Sequence, residues 1–352
     1  MTTTAPPPAL RYRHASGLHA VARSLDALHR DLLRDEGADG TVIRTSVVNI
    51  VAACTEESLA AEAGDDLLRI GTRHPTRAIV ILAHPEGDQL LEAEVSLHCA
   101  ADNRQVCTEL VRLKVSGDPA YHLTSIVTPL LIPDMPVFLW IAGSPPLRQA
   151  FSEEAVALTE RIVIDSAAYD DCGATLTLLA DQLQHYGEDL LLSDISWERT
   201  RAWRQALAQA FDPVLARALL RHITTITVTA EGGRTSSETM LLLGWLASRL
   251  GWDASSTPRL EINATGDGAD GQATSVHIAA SAGDRDGEVS VTRAGDVLRT
   301  HTHIRRVLDT RSAVTVPVRD RADLIADMLS GSADDHVYRD SVRHAARIAG
   351  MQ

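Results

Sequence analysis

Two short segments of this chain are apolar throughout, and they limit its fold more than any other feature. Residues 78–83 read AIVILA and residues 136–141 read PVFLWI. A strand with one solvated face alternates apolar and polar side chains, so a strand that is apolar at every position is covered on both faces. Amphipathic helical patterns occur along the same chain, starting at 18–36. The sequence therefore predicts an α/β (mixed α+β) fold in which helices cover sheets.

The other periodicities divide the chain into two predicted domains. A chain of 352 residues suits two domains. Strand and helix patterns alternate up to about residue 220. A helix at 235–250 and strand-like runs separated by Gly and Asp turns then predict an antiparallel meander, closed by two C-terminal helices. We predict a disordered proline-rich N-terminus at 1–15, an N-terminal α/β domain at 16–220 and a C-terminal α+β domain at 221–352. Each folded domain should be a mixed or antiparallel sheet covered by helices.

A predicted hairpin places two cysteines opposite each other. Alternating runs at 92–100 and 106–115 flank a polar turn at 102–104, so positions pair symmetrically about residue 103 and Cys99 faces Cys107. Opposed Cβ atoms lie ~4.5–5.5 Å apart, slightly wider than the ~3.8 Å of a disulfide. The two residues are a candidate redox pair, and two buried thiols are the alternative.

Charge and hydropathy exclude some classes of function. The formal net charge is −14, from 47 acidic and 33 basic residues. Such a chain repels phosphate backbones and anionic lipids, so we expect no nucleic-acid partner and no membrane partner. The N-terminal residues lack the pattern of a signal peptide, and no apolar run reaches the ~18 residues of a spanning helix. We therefore expect a cytoplasmic protein.

Few residues in the sequence form a pattern that points to catalysis. We expect no dinucleotide-binding site of the GxGxxG type, and neither the GxxxxGK[ST] phosphate loop nor the GxSxG nucleophile turn occurs. His301 and His303 lie on one face of a predicted strand, where they could bind a metal or form cross-strand polar pairs, and we favour the second. His74 and Arg77 flank a proline before a buried strand, which fits an anion site or a rigid turn. We expect no cofactor.

Several segments, in order along the chain, resemble one known family. They read HPTRAIVI at 74–81, LLIPDMPVFLWIAGSPP at 130–146, RIVIDSA at 161–167, SDISWERTRAWRQALAQAFD at 193–212 and LLLGWLASRLGW at 241–252. This pattern is similar to that of the OpcA family, the assembly or activator proteins of glucose-6-phosphate dehydrogenase.

The resemblance implies a non-catalytic partner that binds glucose-6-phosphate dehydrogenase, promotes its active oligomer and raises its activity. In cyanobacteria this coupling is redox-linked. The matched motif positions are candidates for the partner interface or for holding the fold: His74, Arg77, Pro133, Asp134, Pro136, Trp140, Trp197, Trp203 and Arg204. Two alternatives stay open, a small-molecule sensor and an enzyme with its site near His74 and Arg77.

Overall fold

The computed structural model describes residues 11–35, 46–99, 107–145, 151–232, 235–265, 272–283, 285–331 and 336–351. Their contacts form two compact units. The first comprises the described residues of Met1–Asp165, Glu188–Ser193 and Arg321–Ala333, and the second those of Ser166–Gly187, Asp194–Asp320 and Asp334–Gln352. The units thus interleave along the chain. Whether the predicted segments 16–220 and 221–352 fold independently stays a prediction.

Eleven helices lie in the described part of the chain. They are α1 (Leu18–Asp35), α2 (Glu57–Arg73), α3 (Leu123–Val127), α4 (Glu153–Leu158), α5 (Cys172–Tyr186), α6 (Ile195–Arg199), α7 (Arg201–Ala210), α8 (Val214–Leu219), α9 (Ser237–Leu250), α10 (Arg321–Ser330) and α11 (His336–Ala349). None of these described helices combines the length and apolarity that crossing a bilayer requires.

The first unit is built on an eight-stranded sheet in the order β1-β4-β5-β3-β2-β6-β7-β8. Its strands are β1 (Arg11–Ser16), β2 (Val48–Cys54), β3 (Thr76–His84), β4 (Leu90–Cys99), β5 (Cys107–Ser116), β6 (Val137–Ile141), β7 (Arg161–Ile164) and β8 (Leu192–Asp194). The strands β5, β3, β2, β6 and β7 are parallel neighbours. Residues 78–83 and 137–141 lie in its centre, as their apolar pattern predicts.

Helix α1 follows its predicted bounds closely and supplies one wall of the core. Val21, Leu25 and Leu28 lie on one stripe of this helix and are buried, together with Val95 and Val111 of the sheet. Helix α2 begins at Glu57, and its N-cap Glu56 makes no side-chain capping bond.

The hairpin β4–β5 has the predicted register. Cys99 pairs with Cys107, and the whole ladder is symmetric about residue 103. The two sulfur atoms form a disulfide, with the Cα atoms 4.0 Å apart. The predicted turn at 102–104 lies outside the described residues.

Part of the predicted disordered N-terminus is a strand. β1 covers 11–16 and pairs with the edge of the sheet through an antiparallel ladder to β4, from Arg11 opposite Leu97 to Ser16 opposite Glu92. The backbone N–H and C=O groups at the edge of β4 thereby gain hydrogen-bond partners. The prolines of this N-terminal segment all precede the strand, so they do not interrupt its hydrogen bonds. Residues 1–10 lie outside the described part.

The second unit contains a six-stranded sheet in the order β10-β9-β11-β12-β13-β14. Its strands are β9 (Ile223–Glu231), β10 (Arg259–Thr265), β11 (Ala273–Ala282), β12 (Arg285–Ala294), β13 (Val297–Ile304) and β14 (Leu308–Thr315). The meander was correctly predicted for β11–β13, but β10 pairs with β9 in parallel. Helix α9 connects these two strands, and a crossover helix returns the chain in the same direction. Strand β14 was not predicted.

One face of this second sheet is apolar and the other is polar. Val228, Ile278 and Val291 are fully buried, whereas their neighbours along the strands, such as His277 and Ser290, are half-exposed. Helix α9 packs closely on α11 at Gly244. A Cβ added there would lie 2.2 Å from the Ser341 carbonyl oxygen. Helices α6 and α7 follow each other in the chain and meet at Thr200.

Candidate functional site

Three polar residues form a row across the amino ends of the parallel strands in the first unit. Asn49 near the start of β2 pairs with Arg77 of β3, and Arg77 pairs with Glu109 of β5. All three are buried. Partners in register on neighbouring strands point to the same face of a sheet. The row therefore places the Asn49 amide, the Arg77 guanidinium and the Glu109 carboxylate side by side on one face of the sheet.

Arg77 and Glu109 form a buried ion network with His29 of α1. Arg77 Nε donates to Glu109 Oε2, and His29 Nε2 lies 2.5 Å from Glu109 Oε1. Burial by itself raises the pKa of Glu109, but the hydrogen bond from His29 and the charge of Arg77 outweigh it and lower the pKa to about 2. Glu109 is thus a carboxylate at neutral pH and accepts both bonds.

The chain that enters β6 crosses above this row and is held by it. Arg77 Nη1 donates to the Leu130 carbonyl (2.6 Å). Asn49 Nδ2 donates to the carbonyls of Ile132 (3.1 Å) and Met135 (3.3 Å), and the Ile132 amide donates to Asn49 Oδ1 (2.9 Å). Residues 130–136, here called the clamped loop, are therefore fixed from below by side chains of two other strands.

The upper surface of the clamped loop is exposed. Pro133 and Asp134 lie in solvent, Pro136 is half-buried, and Met135 is 36% exposed. Asp134 has φ +62°, a left-handed conformation that aspartate tolerates better than most residues. The loop thus exposes Pro133, Asp134 and Met135, while hydrogen bonds from Asn49 and Arg77 restrain its backbone.

The matched tryptophans lie in the core. Trp140, Trp197 and Trp203 are 2%, 2% and 4% exposed. Arg321 Cζ lies 5.2 Å from the centre of the Trp140 ring, and Arg204 Cζ lies 3.4 Å from that of Trp197. The structure thus places these three side chains in the core, and a role in the partner interface stays a prediction.

The other predicted site residues differ in their burial and in their contacts. His74 is half-buried, with Nε2 3.3 Å from Ser330 Oγ of α10. Arg77 donates hydrogen bonds to Glu109 and to the Leu130 carbonyl, so its guanidinium does not point into solvent. Pro133, Asp134 and Pro136 come together in the clamped loop, and the cysteine pair lies in the hairpin described above.

Sequence reasoning missed Asn49, Glu109 and His29. A signal existed for Asn49, because it interrupts the apolar run VVNIV, and a lone amide in a buried strand must find hydrogen-bond partners. It also missed the GxGxxG spacing GDGADG at 266–271. This segment lies outside the described residues, between strands β10 and β11, whereas the dinucleotide-binding fingerprint requires a helix after the turn.

The carboxyl ends of the strands carry a charge that opposes nucleotide binding. The parallel order β5-β3-β2-β6-β7 is that of dinucleotide-binding folds, whose pyrophosphate lies at the N-terminus of the helix after the central strand. Here that helix is α2, and Glu56 and Glu57 stand exposed at its start. Glu57 lies 3.9 Å from Lys114 Nζ, so Glu56 is the carboxylate that opposes a pyrophosphate at this point.

Two family descriptions match this chain in sequence order, and both name a glucose-6-phosphate dehydrogenase subunit. The N-terminal domain of that family matches residues 68–181, and its C-terminal domain matches residues 190–342. The chain belongs to the OpcA family. The first match contains the clamped loop, Arg77 and Glu109, but neither Asn49 nor His29. The second contains the whole sheet of the second unit.

Relatives with the name "Putative OxPP cycle protein OpcA" match about half of this chain. The proteins from Synechocystis sp. and Synechococcus elongatus are each 28% identical over 187 residues, which is 52% of this chain. The matched stretch is 38% of the first relative and 41% of the second.

Among solved structures, an oxidoreductase domain protein from Kribbella flavida has a TM-score of 0.39 and 8% identity, over 87% of this chain and 96% of its own. An oxidoreductase from Sinorhizobium meliloti has a TM-score of 0.40 and 10% identity, over 86% of this chain and 95% of its own.

Proposed function

We propose that this chain is a non-catalytic accessory protein that binds glucose-6-phosphate dehydrogenase and promotes its active oligomer, acting as an allosteric activator. The matched descriptions name a subunit of that enzyme, and the relatives are named for the OxPP cycle. The observation that carries the proposal is the clamped loop, where the exposed part of a family motif rests on a buried polar row.

The structure of the clamped loop suits a contact surface. A flexible loop loses conformational freedom when a partner orders it, and that loss weakens binding. Asn49 and Arg77 already fix the backbone of this loop at Leu130, Ile132 and Met135. The backbone of the clamped loop is therefore largely ordered before the partner binds.

Activation requires the chain to bind the active form of its partner more tightly than the inactive form. A coupling of ~1–3 kcal/mol changes the relative affinity about 5–150-fold. An exposed methionine beside an exposed acid can supply both apolar contact and a charge that selects a basic partner surface. We propose that Met135 and Asp134 have these roles.

An enzymatic site near His74 and Arg77 has less support. The Arg77 guanidinium would have to bind an anionic substrate, yet it is buried and bonded to Glu109 and to the Leu130 carbonyl. Releasing it would leave a buried carboxylate without this partner, which is costly. The purified chain alone, given NADP⁺ and glucose 6-phosphate, should form no NADPH.

The test combines kinetics with size-exclusion chromatography. The cognate dehydrogenase is assayed with wild-type chain, Met135→Lys, Asp134→Lys and the control Val214→Lys, an exposed residue of α8 in the second unit. We expect wild type and the control to co-elute with the enzyme and to raise kcat or lower KM. The two loop variants should bind at least about tenfold more weakly.

The outcomes separate the two parts of the proposal. No co-elution and no kinetic effect of the wild-type chain, under both reducing and oxidising conditions, would overturn the accessory function. Normal activation by both loop variants would leave that function standing and overturn the assignment of the clamped loop.

One observation keeps a small-molecule sensor as a second candidate. The first unit contains a cleft of about 500 Å³ along one face of β2 and β6, with Ala53, Leu139 and Ile141 among its lining residues. Ligand pockets commonly have this size. A rise in Tm with sugar phosphates or nucleotides, measured without the dehydrogenase, would support this candidate.

A further inference from the structure

Two histidines and an aspartate meet on the polar face of the second unit's sheet. In the part of the chain that the structure describes, His301, His303 and Asp309 form a group whose three ligand atoms all lie within 4.8 Å of one another. None of them belongs to the clamped loop or to the row beneath it. The sequence located the two histidines but not the carboxylate.

The strand geometry explains why the three residues meet. His301 and His303 are two positions apart on β13, so both imidazoles point to the same face. Strand β14 runs antiparallel beside it and places Asp309 directly opposite His303. Because Asp309 is also diagonal to His301, its carboxylate reaches both rings.

The two His–Asp distances are those of cross-strand polar pairs, and they are also close to the spacing of ligand atoms in a small tetrahedral site. His301 Nε2 lies 3.1 Å from Asp309 Oδ1, and His303 Nδ1 lies 3.4 Å from Asp309 Oδ2. Zinc bonds of about 2.1 Å in tetrahedral geometry separate ligand atoms by about 3.4 Å. An ion can therefore enter with small rotations of these side chains.

We propose that His301, His303 and Asp309 form a zinc site with one coordination position left open. Imidazole nitrogens favour Zn²⁺ over Mg²⁺ and Ca²⁺, which prefer all-oxygen sites. Three protein ligands with an open fourth position is the arrangement of exchangeable or reactive zinc, in contrast to closed structural sites. Here water or a donor atom from a bound molecule takes the fourth position.

Access and charge permit binding. The side chains of His301, His303 and Asp309 are 32%, 40% and 52% exposed, so an ion reaches them without unfolding the sheet. Arg311 Nε lies 3.8 Å from Asp309 Oδ1 and opposes a cation, but its side chain is largely exposed and can move into solvent. Removing it with Arg311→Gln should tighten metal binding.

The test uses the full-length, tag-free chain after removal of metal by a chelator. Co²⁺ is titrated as a spectroscopic probe for Zn²⁺, and we expect one tetrahedral Co²⁺ per chain that Zn²⁺ displaces. His301→Ala and Asp309→Asn should weaken binding by more than the about 10–100-fold that loss of an outer-shell partner costs. The control is His277→Ala, a histidine on the same face that pairs with Glu288.

The same samples give a second readout. Zn²⁺ should raise the Tm of wild type and of His277→Ala, because it ties β14 to β13, and should leave the Tm of the two ligand variants unchanged. Circular dichroism shows that each variant is folded. The proposal is overturned if wild type binds less than one Co²⁺ per chain, or if His277→Ala loses binding as completely as Asp309→Asn.

Discussion

At the scale of single residues, Asn49 links the sheet of the first unit to the clamped loop. Its amide is fully buried and makes hydrogen bonds to both ends of a turn more than 80 residues away in the chain. An amide both donates and accepts, so one side chain satisfies two carbonyls and one N–H. An apolar residue at this position would leave all three without a partner.

Asn49→Ala should therefore destabilise the protein by about 1–3 kcal/mol, the cost of buried groups left unsatisfied. It should also loosen the clamped loop and weaken binding of the dehydrogenase. Denaturant unfolding measures the first effect, and hydrogen exchange of the Ile132 amide measures the second. The matched control is Asn263→Ala, an exposed asparagine on β10. Equal effects of both substitutions would show that the clamp is not energetically important.

Glu109 should make stability depend on pH in the acidic range. Its pKa is lowered from 4.5 to about 2 in the folded chain. The unfolded chain protonates this carboxyl below about pH 4.5 while the folded chain keeps it ionised, so the stabilisation, fully present above that pH, is lost as the pH falls toward 2. The loss is about 3 kcal/mol.

Urea unfolding of wild type and Glu109→Gln between pH 7 and pH 3.5 measures this dependence. The variant should be less stable by about 3–5 kcal/mol at neutral pH, because Arg77 and His29 lose their buried partner. The difference should shrink as the pH falls. Glu86→Gln, an exposed turn residue, serves as the control and should show no such trend. A difference that is constant with pH would contradict the assignment.

At the scale of elements, the hairpin β4–β5 shows what a sequence pattern can establish. Two alternating runs and the turn between them fix the register, because a shift by one residue would turn every buried side chain to the other face. Cys99 therefore had to face Cys107. Alternation did not predict the pairing of β10, because its parallel partner depends on the path of α9. It did not predict β14 either, because this exposed edge strand has no alternation of buried and polar residues.

The disulfide should be measurable as a stabilising cross-link in this hairpin. A closed loop of this length restricts the unfolded chain by about 2–3 kcal/mol. Cys99→Ser together with Cys107→Ser should lower the free energy of unfolding by that amount, whereas Cys172→Ser should change it little. Thiol titration of the oxidised chain in denaturant should find two free thiols, those of Cys54 and Cys172. Four free thiols would contradict the assignment.

The site was less predictable than the fold. The resemblance to the family selected Pro133, Asp134 and Pro136, which lie together, and it also selected three tryptophans that the structure buries. A motif records which positions matter but does not distinguish a buried side chain from an exposed one. Asn49, His29 and Glu109 act through partners on other elements, and such pairs appear only when the strands and helices are assembled.

At the scale of the whole molecule, the two units share one interleaved chain. Helix α10 follows the second sheet in sequence but belongs to the first unit, where it packs on α2. Arg321 bonds to Asp66 (2.6 Å) and Glu62 (3.1 Å) of α2, and Arg73 bonds to Asp327 of α10 (2.7 Å). The first unit is thus incomplete without residues from near the other end of the sequence.

A fragment of residues 1–220 should therefore be less stable than the same residues in the full chain. We expect hydrogen exchange in α2 (Glu57–Arg73) to be faster in the fragment, because α10 is missing. A synthetic peptide of residues 318–332 should slow it again. Exchange at the same rate in fragment and full chain would show instead that 16–220 is an independent domain.

The position of α10 also bears on how the protein is made. Ribosomes add about 5–20 residues per second, so Arg321 emerges roughly 8–30 s after Asp165 at those rates. During that interval the nascent first unit lacks the guanidinium that lies over Trp140 and neutralises Asp66 and Glu62. Throughout that interval α2 lies on the ribosome-bound chain without the helix that packs on it in the folded first unit.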